Sequence, residues 1–144
     1  MVGAFDIGAN VTFLRTRVTD AGTGAFGTFV NGERLLRRPA QTAAFTADYR
    51  VARGSRIGAA VRVVGSRDDR DFANDLRVEL PSYTLLDLSA EASLGRLGAS
   101  LSHLTLTGRI ENALDRAYQP SFGFSAPGRT VLLGARATLG SAAQ

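Results

Sequence analysis

Three carboxylates lie within four consecutive residues at Asp68, Asp69, Arg70 and Asp71. Clustered carboxylate oxygens are ligands that suit Ca²⁺, so this segment is a candidate cation site. The surrounding stretch, residues 66–82, is polar and closed by a proline, which is typical of a loop. We favour the simpler interpretation, a solvated external loop, and predict that the chain holds no metal.

Ser102 and His103 are the pair from which a hydrolase could be built, because His103 is the only histidine and would have to serve as the base. Adjacent residues within a turn point their side chains apart, however, and no acidic side chain is obviously placed to orient the imidazole. The chain has no cysteine, so disulfides and thiolate metal ligands are excluded. The sequence thus predicts a protein that is not an enzyme and that needs no cofactor.

Aromatic residues are concentrated in residues 113–127, where Tyr118, Phe122 and Phe124 accompany glycine and proline. Rings on a loop can line the entrance to a ligand site. The alternative is an aromatic girdle at a bilayer interface. We predict the three loop residues as ligand-binding residues and leave the girdle open for them, whereas for Tyr83 the girdle is the favoured interpretation.

The composition narrows the class of protein. The chain has 144 residues, 44% of them hydrophobic, and a mean hydropathy of +0.01. No window approaches the ~18 consecutive apolar residues of a membrane-spanning helix, but strands that alternate lipid-facing and lumen-facing residues average to a near-neutral hydropathy. The net charge of +4 comes from arginines scattered at strand spacing, so we predict no nucleic-acid partner. The first four residues lack the features of a secretory signal, which suits a mature or an internal start.

Six segments alternate apolar and polar residues with the period of two that strands require. They are residues 5–18, 43–51, 56–65, 83–94, 104–111 and 130–139. Between them lie three long connections, residues 19–39, 66–82 and 113–127, and two short ones, residues 52–55 and 95–103. We predict an all-β, antiparallel protein that is nearly without helix.

Two regularities indicate that these strands cross a membrane. Lysine is absent, although a soluble sheet usually exposes a face rich in Lys and Glu. The connections also alternate long and short, as in outer-membrane proteins with long external loops and short periplasmic turns. We predict that one parity, including Leu88 and Leu133, faces lipid and that the other faces a lumen, where charges form cross-strand pairs. The ionisable residues of the strand cores all lie on that second parity: Asp48, Arg50, Arg62, Asp87, Glu91, Arg109, Glu111 and Arg136.

Six strands are too few to close a barrel in lipid, since outer-membrane barrels begin at about eight strands. An open edge in hydrocarbon leaves backbone groups unsatisfied, at several kcal/mol each. We therefore predict a partial barrel, an antiparallel transmembrane segment of about six strands that belongs to something larger. Two alternatives stay open: a small structural outer-membrane protein that closes by self-association, and a soluble β-sandwich whose apolar parity is its core.

Several stretches resemble the C-terminal end of TonB-dependent outer-membrane receptors, most closely those of the vitamin B12 (cobalamin) type. They are residues 35–38 (Leu-Leu-Arg-Arg), 65–72 (Gly-Ser-Arg-Asp-Asp-Arg-Asp-Phe), 83–88 (Tyr-Thr-Leu-Leu-Asp-Leu), 110–118 (Ile-Glu-Asn-Ala-Leu-Asp-Arg-Ala-Tyr) and 122–129. The most specific match is Asn-x-Leu-Asp-x-x-Tyr at 112–118, followed by Pro-Gly-Arg at 127–129. The family usually ends on an aromatic residue, whereas Leu139 stands at that place here.

The resemblance implies an outer-membrane receptor whose barrel has about 22 strands and holds a plug domain in its lumen. Residues 1–144 would form the C-terminal portion of that barrel, without the plug. The receptor would import a scarce ligand, cobalamin or an iron chelate such as a siderophore, with energy relayed by TonB through the plug. The implied partners are outer-membrane lipid, the remainder of the barrel, the plug, TonB and the ligand, and this chain alone is not expected to transport anything.

Overall fold

Eight strands and one short 3-10 helix make up the regular structure of the computed structural model, which describes residues 4–22, 29–51, 54–98 and 103–138. The strands are β1 (Ala4–Phe13), β2 (Gln41–Val51), β3 (Ser55–Val64), β4 (Arg67–Asp71), β5 (Leu76–Leu80), β6 (Tyr83–Ser93), β7 (Leu104–Glu111) and β8 (Thr130–Ala137), and the helix is Leu94–Arg96. No helix within these ranges is long and apolar enough to cross a membrane.

Six of the strands form one antiparallel sheet in the order β1-β2-β3-β6-β7-β8, while β4 and β5 pair with each other. The strands β1 and β8 lie at opposite edges of this sheet and do not pair, so the sheet is open. This arrangement confirms the predicted partial barrel of six strands. Because successive strands of the sheet run antiparallel, residues 14–22, 29–40, 65–82 and 112–129 all lie at one end of it, as predicted from the long connections.

The alternation predicts a first strand that ends at Val18, but β1 ends at Phe13. A longer strand would place Arg15 and Arg17 on the parity of its apolar residues, where charged side chains are costly in lipid. The chain instead enters a loop in which Val18 is buried and donates its backbone amide to the carbonyl of Glu33 at 2.8 Å. Val18, which the sequence predicts as the last residue of the first strand, is therefore a buried loop residue.

The second long connection is not an irregular loop, because it contains the β4–β5 hairpin. Its turn is built by Asp71, whose carboxylate accepts hydrogen bonds from the amide of Ala73 at 2.9 Å and from the side chain of Asn74 at 2.7 Å. Asp75 takes the left-handed conformation, with φ of 57°, that a tight turn needs and that aspartate tolerates. Charged residues dominate β4, so the strand shows none of the apolar alternation by which the others were recognised.

The strand register collects the apolar parity of the sheet on one face. Ala47 pairs with Ala59, Ala59 with Leu88, and Leu88 with Ile110, so residues of four neighbouring strands share this side. The large side chains on this apolar face are exposed, which soluble monomers avoid over so wide an area. The exposed residues of the apolar face include Phe5, Ile7, Val11, Phe13, Phe45, Ile57, Leu88, Leu106, Val131 and Leu133.

A soluble sandwich would cover this face with a second layer. Among the described residues the buried hydrophobic side chains are Val18, Val64, Leu80 and Leu85. None of them lies on the apolar face, since Val64 and Leu85 share the parity of Arg62 and Asp87 and the other two lie outside the sheet. The apolar parity is therefore not the core of a sandwich, and that alternative is contradicted.

Candidate ligand-binding site

The three long connections fold over the end of the polar face. Val64 and Leu85 lie on that face near the loop ends of β3 and β6, and both are buried. Tyr118, from the third connection, lines a common pocket with Leu85 on this side of the sheet. The loops thus cover the end of the surface that was predicted to face a lumen.

Tyr83 belongs to this covered surface. It lies on the parity of Leu85 and Asp87, so its predicted place in a lipid-side girdle is wrong. The ring of Tyr83 packs against that of Tyr118, with centroids 4.3 Å apart. The guanidinium of Arg67 also lies over the ring of Tyr83, 5.3 Å from the ring centroid, which is a distance typical of cation–π contacts.

A cleft of about 410 Å³ opens between the hairpin and the third connection. Its lining includes Leu80 and Pro81 from the hairpin side and Tyr118 and Phe122 from the loop. Phe124 is not part of the lining and is 71% exposed. Of the three residues predicted to bind ligand, Tyr118 and Phe122 line this cleft and Phe124 does not. The sequence did not predict Leu80 and Pro81 as lining residues because it did not predict the β4–β5 hairpin.

A smaller pocket of about 250 Å³ lies on the polar face beside this cleft. Arg62, Asp87, Arg109 and Glu111 line it, and Tyr118 lines both cavities. Arg109 pairs with Glu111 at 3.1 Å and approaches Asp87 at 4.0 Å. Tyr118 is therefore shared by the cleft and by a charged pocket on the polar face.

Farther from the loops, the polar face carries a second chain of ion pairs. Glu91 pairs with Arg56 at 3.2 Å and with Arg136 at 3.7 Å, and Arg56 approaches Asp48 at 3.8 Å. These pairs connect different strands, as the sequence predicts for the charged parity. Arg56 had not been included in that prediction, although its even number places it on the same side of β3 as Arg62.

Asp69 is a fully buried carboxylate at the centre of the loop region, with 0% of its surface exposed. Its oxygens accept hydrogen bonds from Arg37 Nε at 2.8 Å and Ser121 Oγ at 3.1 Å, and from the backbone amides of Phe122 at 2.7 Å and Arg70 at 2.8 Å. These donors belong to all three long connections. The interpretation of this segment as solvated is therefore wrong.

The neighbouring Asp68 is engaged by arginines as well. Arg34 lies 3.2 Å from its carboxylate and Arg77 lies 2.8 Å from it, while Arg77 also contacts Glu33. Within the described part of the chain, no group of three or more His, Cys, Asp or Glu side chains could hold a metal ion. The carboxylates of β4 bind arginines and backbone amides, and their charge serves to join loops.

Asn112 closes the base of the third connection. It is 5% exposed and has a φ of 49°. Its Nδ2 donates to the carbonyls of Arg116 at 2.9 Å and Pro127 at 3.5 Å, and its Oδ1 accepts the amide of Arg116 at 2.9 Å. Its own amide donates to Asp87 at 2.9 Å, which ties the loop to β6.

The other motif residues bind one another across the same loop. Asp115 accepts the amide of Arg129 at 2.8 Å, and Arg129 Nε donates to the carbonyl of Ala113 at 3.0 Å. A Cβ on Gly128 would lie 2.8 Å from the Asp115 carboxylate, so a side chain there would displace this carboxylate from the amide of Arg129. The Asn-x-Leu-Asp-x-x-Tyr and Pro-Gly-Arg motifs thus form a loop clasp that joins the two ends of the segment containing Tyr118.

Two further sequence predictions concern the opposite end of the sheet. His103 is exposed and its carbonyl accepts the amide of Thr138 at 3.0 Å, while Ser102 lies outside the described residues. Leu139, where an aromatic residue was expected, also lies outside them.

The hydrogen bonds to Asp69 make a prediction about pH. Burial raises the pKa of Asp69, but the bonds from Phe122, Arg37, Arg70 and Ser121 outweigh it and hold the pKa below its usual value. A carboxyl with a depressed folded pKa contributes stability above its unfolded pKa, about 3.9, and this stability is lost as pH falls through the folded pKa. We expect the amide of Phe122 to stay protected from hydrogen exchange down to about pH 4 and to lose protection below it.

Two variants separate this effect from general acid unfolding. Asp69→Asn should lower the protection of Phe122 at neutral pH and remove most of its pH dependence. The pKa of Asp71 is also lowered, first by the side chain of Asn74, so Asp71→Asn serves as the control. Asp71→Asn should keep the acid transition at Phe122, and an unchanged transition in Asp69→Asn would contradict the assignment to Asp69.

Comparison with known proteins identifies the family. A family described as TonB dependent receptor-like, beta-barrel, matches residues 2–113. The ferrioxamine receptor of Yersinia enterocolitica is 34% identical over 110 residues, which cover 76% of this chain and 14% of that receptor. The chain thus spans only a small part of the length of this relative.

Solved structures share the fold. The siderophore receptor PiuA from Acinetobacter baumannii superposes with a TM-score of 0.71 at 24% identity, over 91% of this chain and 19% of that one. The ferric-catecholate import receptor Fiu from E. coli K12 superposes with a TM-score of 0.72 at 19% identity, over 93% and 19%. These relatives are named for iron chelates, so the narrower resemblance to the cobalamin type is not supported. The extent of the family match and the identity to the ferrioxamine receptor show that the chain belongs to the TonB-dependent receptor-like β-barrel family.

Proposed function

We propose that this chain is part of the outer-membrane barrel of a TonB-dependent receptor that imports an iron chelate of the siderophore class. Residues 1–144 act as a C-terminal portion of the barrel, while other parts of the receptor supply the plug and the contact with TonB. The long connections lie on the external side, and Tyr118, Phe122 and Phe124 contact the chelate there. The names of the relatives favour an iron chelate over a corrinoid.

The observation that carries this proposal is the difference between the two faces of one open sheet. The apolar face exposes large aliphatic and aromatic side chains such as Ile7 and Leu133, which lipid would cover. The other face carries the ion pairs of Glu91 and Arg109. Two unpaired edges at β1 and β8 are where further barrel strands would add, because unpaired backbone groups are costly in lipid.

The charge of the cleft favours one kind of chelate. Among the described residues that line it, Glu79 is the ionisable one apart from the tyrosine, and it is exposed. A carboxylate repels a strongly anionic ferric complex and tolerates a neutral or cationic one. Ferrioxamine, the ligand named for the relative from Yersinia enterocolitica, is therefore the probe we choose.

A chimeric receptor tests the proposal. In it, residues 4–138 replace the six corresponding strands and their loops in the Yersinia ferrioxamine receptor. We expect the chimera to assemble in the outer membrane, to migrate differently on a gel before and after heating, and to bind ferrioxamine. Failure to assemble would contradict the barrel role. A monomeric, heat-modifiable species formed by these 144 residues alone would favour a small self-closing barrel instead.

Truncation of the cleft residues should weaken binding to the chimera. An aromatic ring contributes about 0.5–1.5 kcal/mol beyond its buried area, so Tyr118→Ala is expected to raise the Kd for ferrioxamine about tenfold. Phe122→Ala should have a similar effect, and Phe124→Ala a smaller one because Phe124 lies outside the cleft. Phe29→Ala is the control, an exposed aromatic residue of the first connection that does not line the cleft. Equal effects of Tyr118→Ala and Phe29→Ala would contradict the cleft as the binding site.

A further inference from the structure

Arg67 and Asp69 are buried charges on one side of β4. Alternate residues of a strand point the same way, and these two are 4% and 0% exposed. Burial of ionised groups is unfavourable unless they are paired and hydrogen-bonded, and apolar residues of similar volume would often be as stable. Stability alone therefore does not account for two such residues on a loop hairpin.

Both residues hold the third connection. Arg67 donates to the carbonyl of Gln119 and packs on Tyr83, which in turn packs on Tyr118. Asp69 accepts the hydroxyl of Ser121 and the amide of Phe122. In this way β4 binds residues 119, 121 and 122 directly and reaches Tyr118 through the ring of Tyr83.

The same strand holds the first connection. Asp69 accepts Arg37 Nε at 2.8 Å, and the carbonyl of Asp68 accepts the amide of Arg37 at 2.6 Å. Arg34 pairs with Asp68 at 3.2 Å. One buried carboxylate, that of Asp69, thus binds both flanking loops at once. A loop that leaves it removes hydrogen bonds that stabilise the buried charge to which the other loop is bound.

We propose that Arg67 and Asp69 are positioning residues that hold the three long connections as one body and keep Tyr118 and Phe122 in the arrangement that forms the cleft. Neither residue lines the cleft. Arg67 and Asp69 therefore act on ligand binding indirectly, because they determine the fraction of receptor molecules whose loops are in the binding conformation. The ligand part of this inference rests on the proposed function, whereas the coupling of the loops does not.

Of the two residues, Asp69 is the better target. Arg67 Nη1 has no hydrogen-bond partner among the described residues. The carboxylate of Asp69, in contrast, accepts hydrogen bonds from residues of all three long connections. Asp69→Asn preserves the shape of the side chain but removes its charge and turns an NH₂ group toward donors. Asp71→Asn is the matched control, because the same change two residues away affects only the turn of the hairpin.

Distances within the chimeric receptor test the coupling directly. The chain has no cysteine, so spin labels can be attached at the exposed Leu76→Cys on β5 and at Ser125→Cys on the third connection. We expect a single narrow distance distribution without further change and with Asp71→Asn, and a broad one with Asp69→Asn. Ser121→Ala removes one donor only and should broaden the distance distribution less. If Asp69→Asn does not assemble, the distribution of Ser121→Ala tests the coupling of the loops. Distributions for Asp69→Asn and Ser121→Ala as narrow as that of the control would overturn the proposal.

Binding kinetics separate positioning from contact. When only a fraction of molecules is competent to bind, the apparent affinity falls by that fraction. Asp69→Asn should therefore slow the association of ferrioxamine about tenfold and leave its dissociation nearly unchanged, whereas Tyr118→Ala should mainly speed dissociation. Faster dissociation with unchanged association in Asp69→Asn would overturn the positioning role. Absence of ferrioxamine binding in the unsubstituted chimera would count against the proposed function alone, and the label distances would still decide the coupling.

Discussion

Leu88→Arg is expected to prevent outer-membrane assembly of the chimeric receptor, whereas Ser89→Arg should leave assembly nearly intact. Leu88 lies midway along β6 on the apolar face, between Ala59 and Ile110 on the neighbouring strands. An arginine at the lipid-facing midplane costs about 2–4 kcal/mol. That cost shifts the folding equilibrium by about 30-fold to 700-fold, and it is a large part of the stability of a typical protein domain.

Ser89 is the matched control because it is the next residue of the same strand and faces the other side. Its register partners are Gly58 and Arg109 on the polar face. Asp48 and Asp87 line the same pocket as Ser89 and Arg109, so carboxylates near position 89 offset the repulsion between an arginine there and Arg109. The folded fraction of each variant is measured from the heat-modifiable band and from urea unfolding. Equal loss of folding in both would reject the assignment of the two faces.

The facing of the strands could be predicted because it depends on local sequence. In a strand, side chains alternate strictly, so Leu88 and Ser89 must point to opposite sides wherever the strand lies. The same rule places Tyr83 with Asp87. The incorrect assignment of Tyr83 to a lipid-side girdle came from its residue type, although its parity already pointed to the polar face.

The loop region could not be predicted because its interactions connect distant parts of the chain. Arg37 is 32 residues from Asp69, and Phe122 is 53 residues from it. Nothing near Asp69 in the sequence indicates these donors, and a run of charged residues without them is typical of a solvated loop. The cleft is a consequence of the same contacts, so only its loop residues, Tyr118 and Phe122, could be identified in advance.

The loop clasp was predicted only in part. Its motif was recognised by resemblance to a family, whereas its hydrogen bonds became evident only from the structure. Asn112→Asp should open the third connection. The change replaces an amide that donates to the carbonyls of Arg116 and Pro127 with a carboxylate that faces them. It also places a new charge at a buried position, next to the carboxylate of Asp87 that accepts the amide of residue 112. A buried group left unsatisfied costs about 1–3 kcal/mol, and more if it is charged, so we expect a local loss of about 3 kcal/mol.

The reverse substitution in the same loop, Asp115→Asn, is the control for this prediction. Asp115 is exposed and accepts only the amide of Arg129 in the contacts described, and an asparagine oxygen can accept it too. That change should cost less than about 1 kcal/mol. Hydrogen exchange at the amide of Arg116, which donates to Asn112, measures the local opening free energy in the chimeric receptor. Asn112→Gly keeps the left-handed backbone but loses the side-chain bonds, so its effect should fall between those of the other two variants. An effect of Asn112→Gly as small as that of Asp115→Asn would mean that the backbone conformation, and not the side-chain amide, keeps the third connection closed.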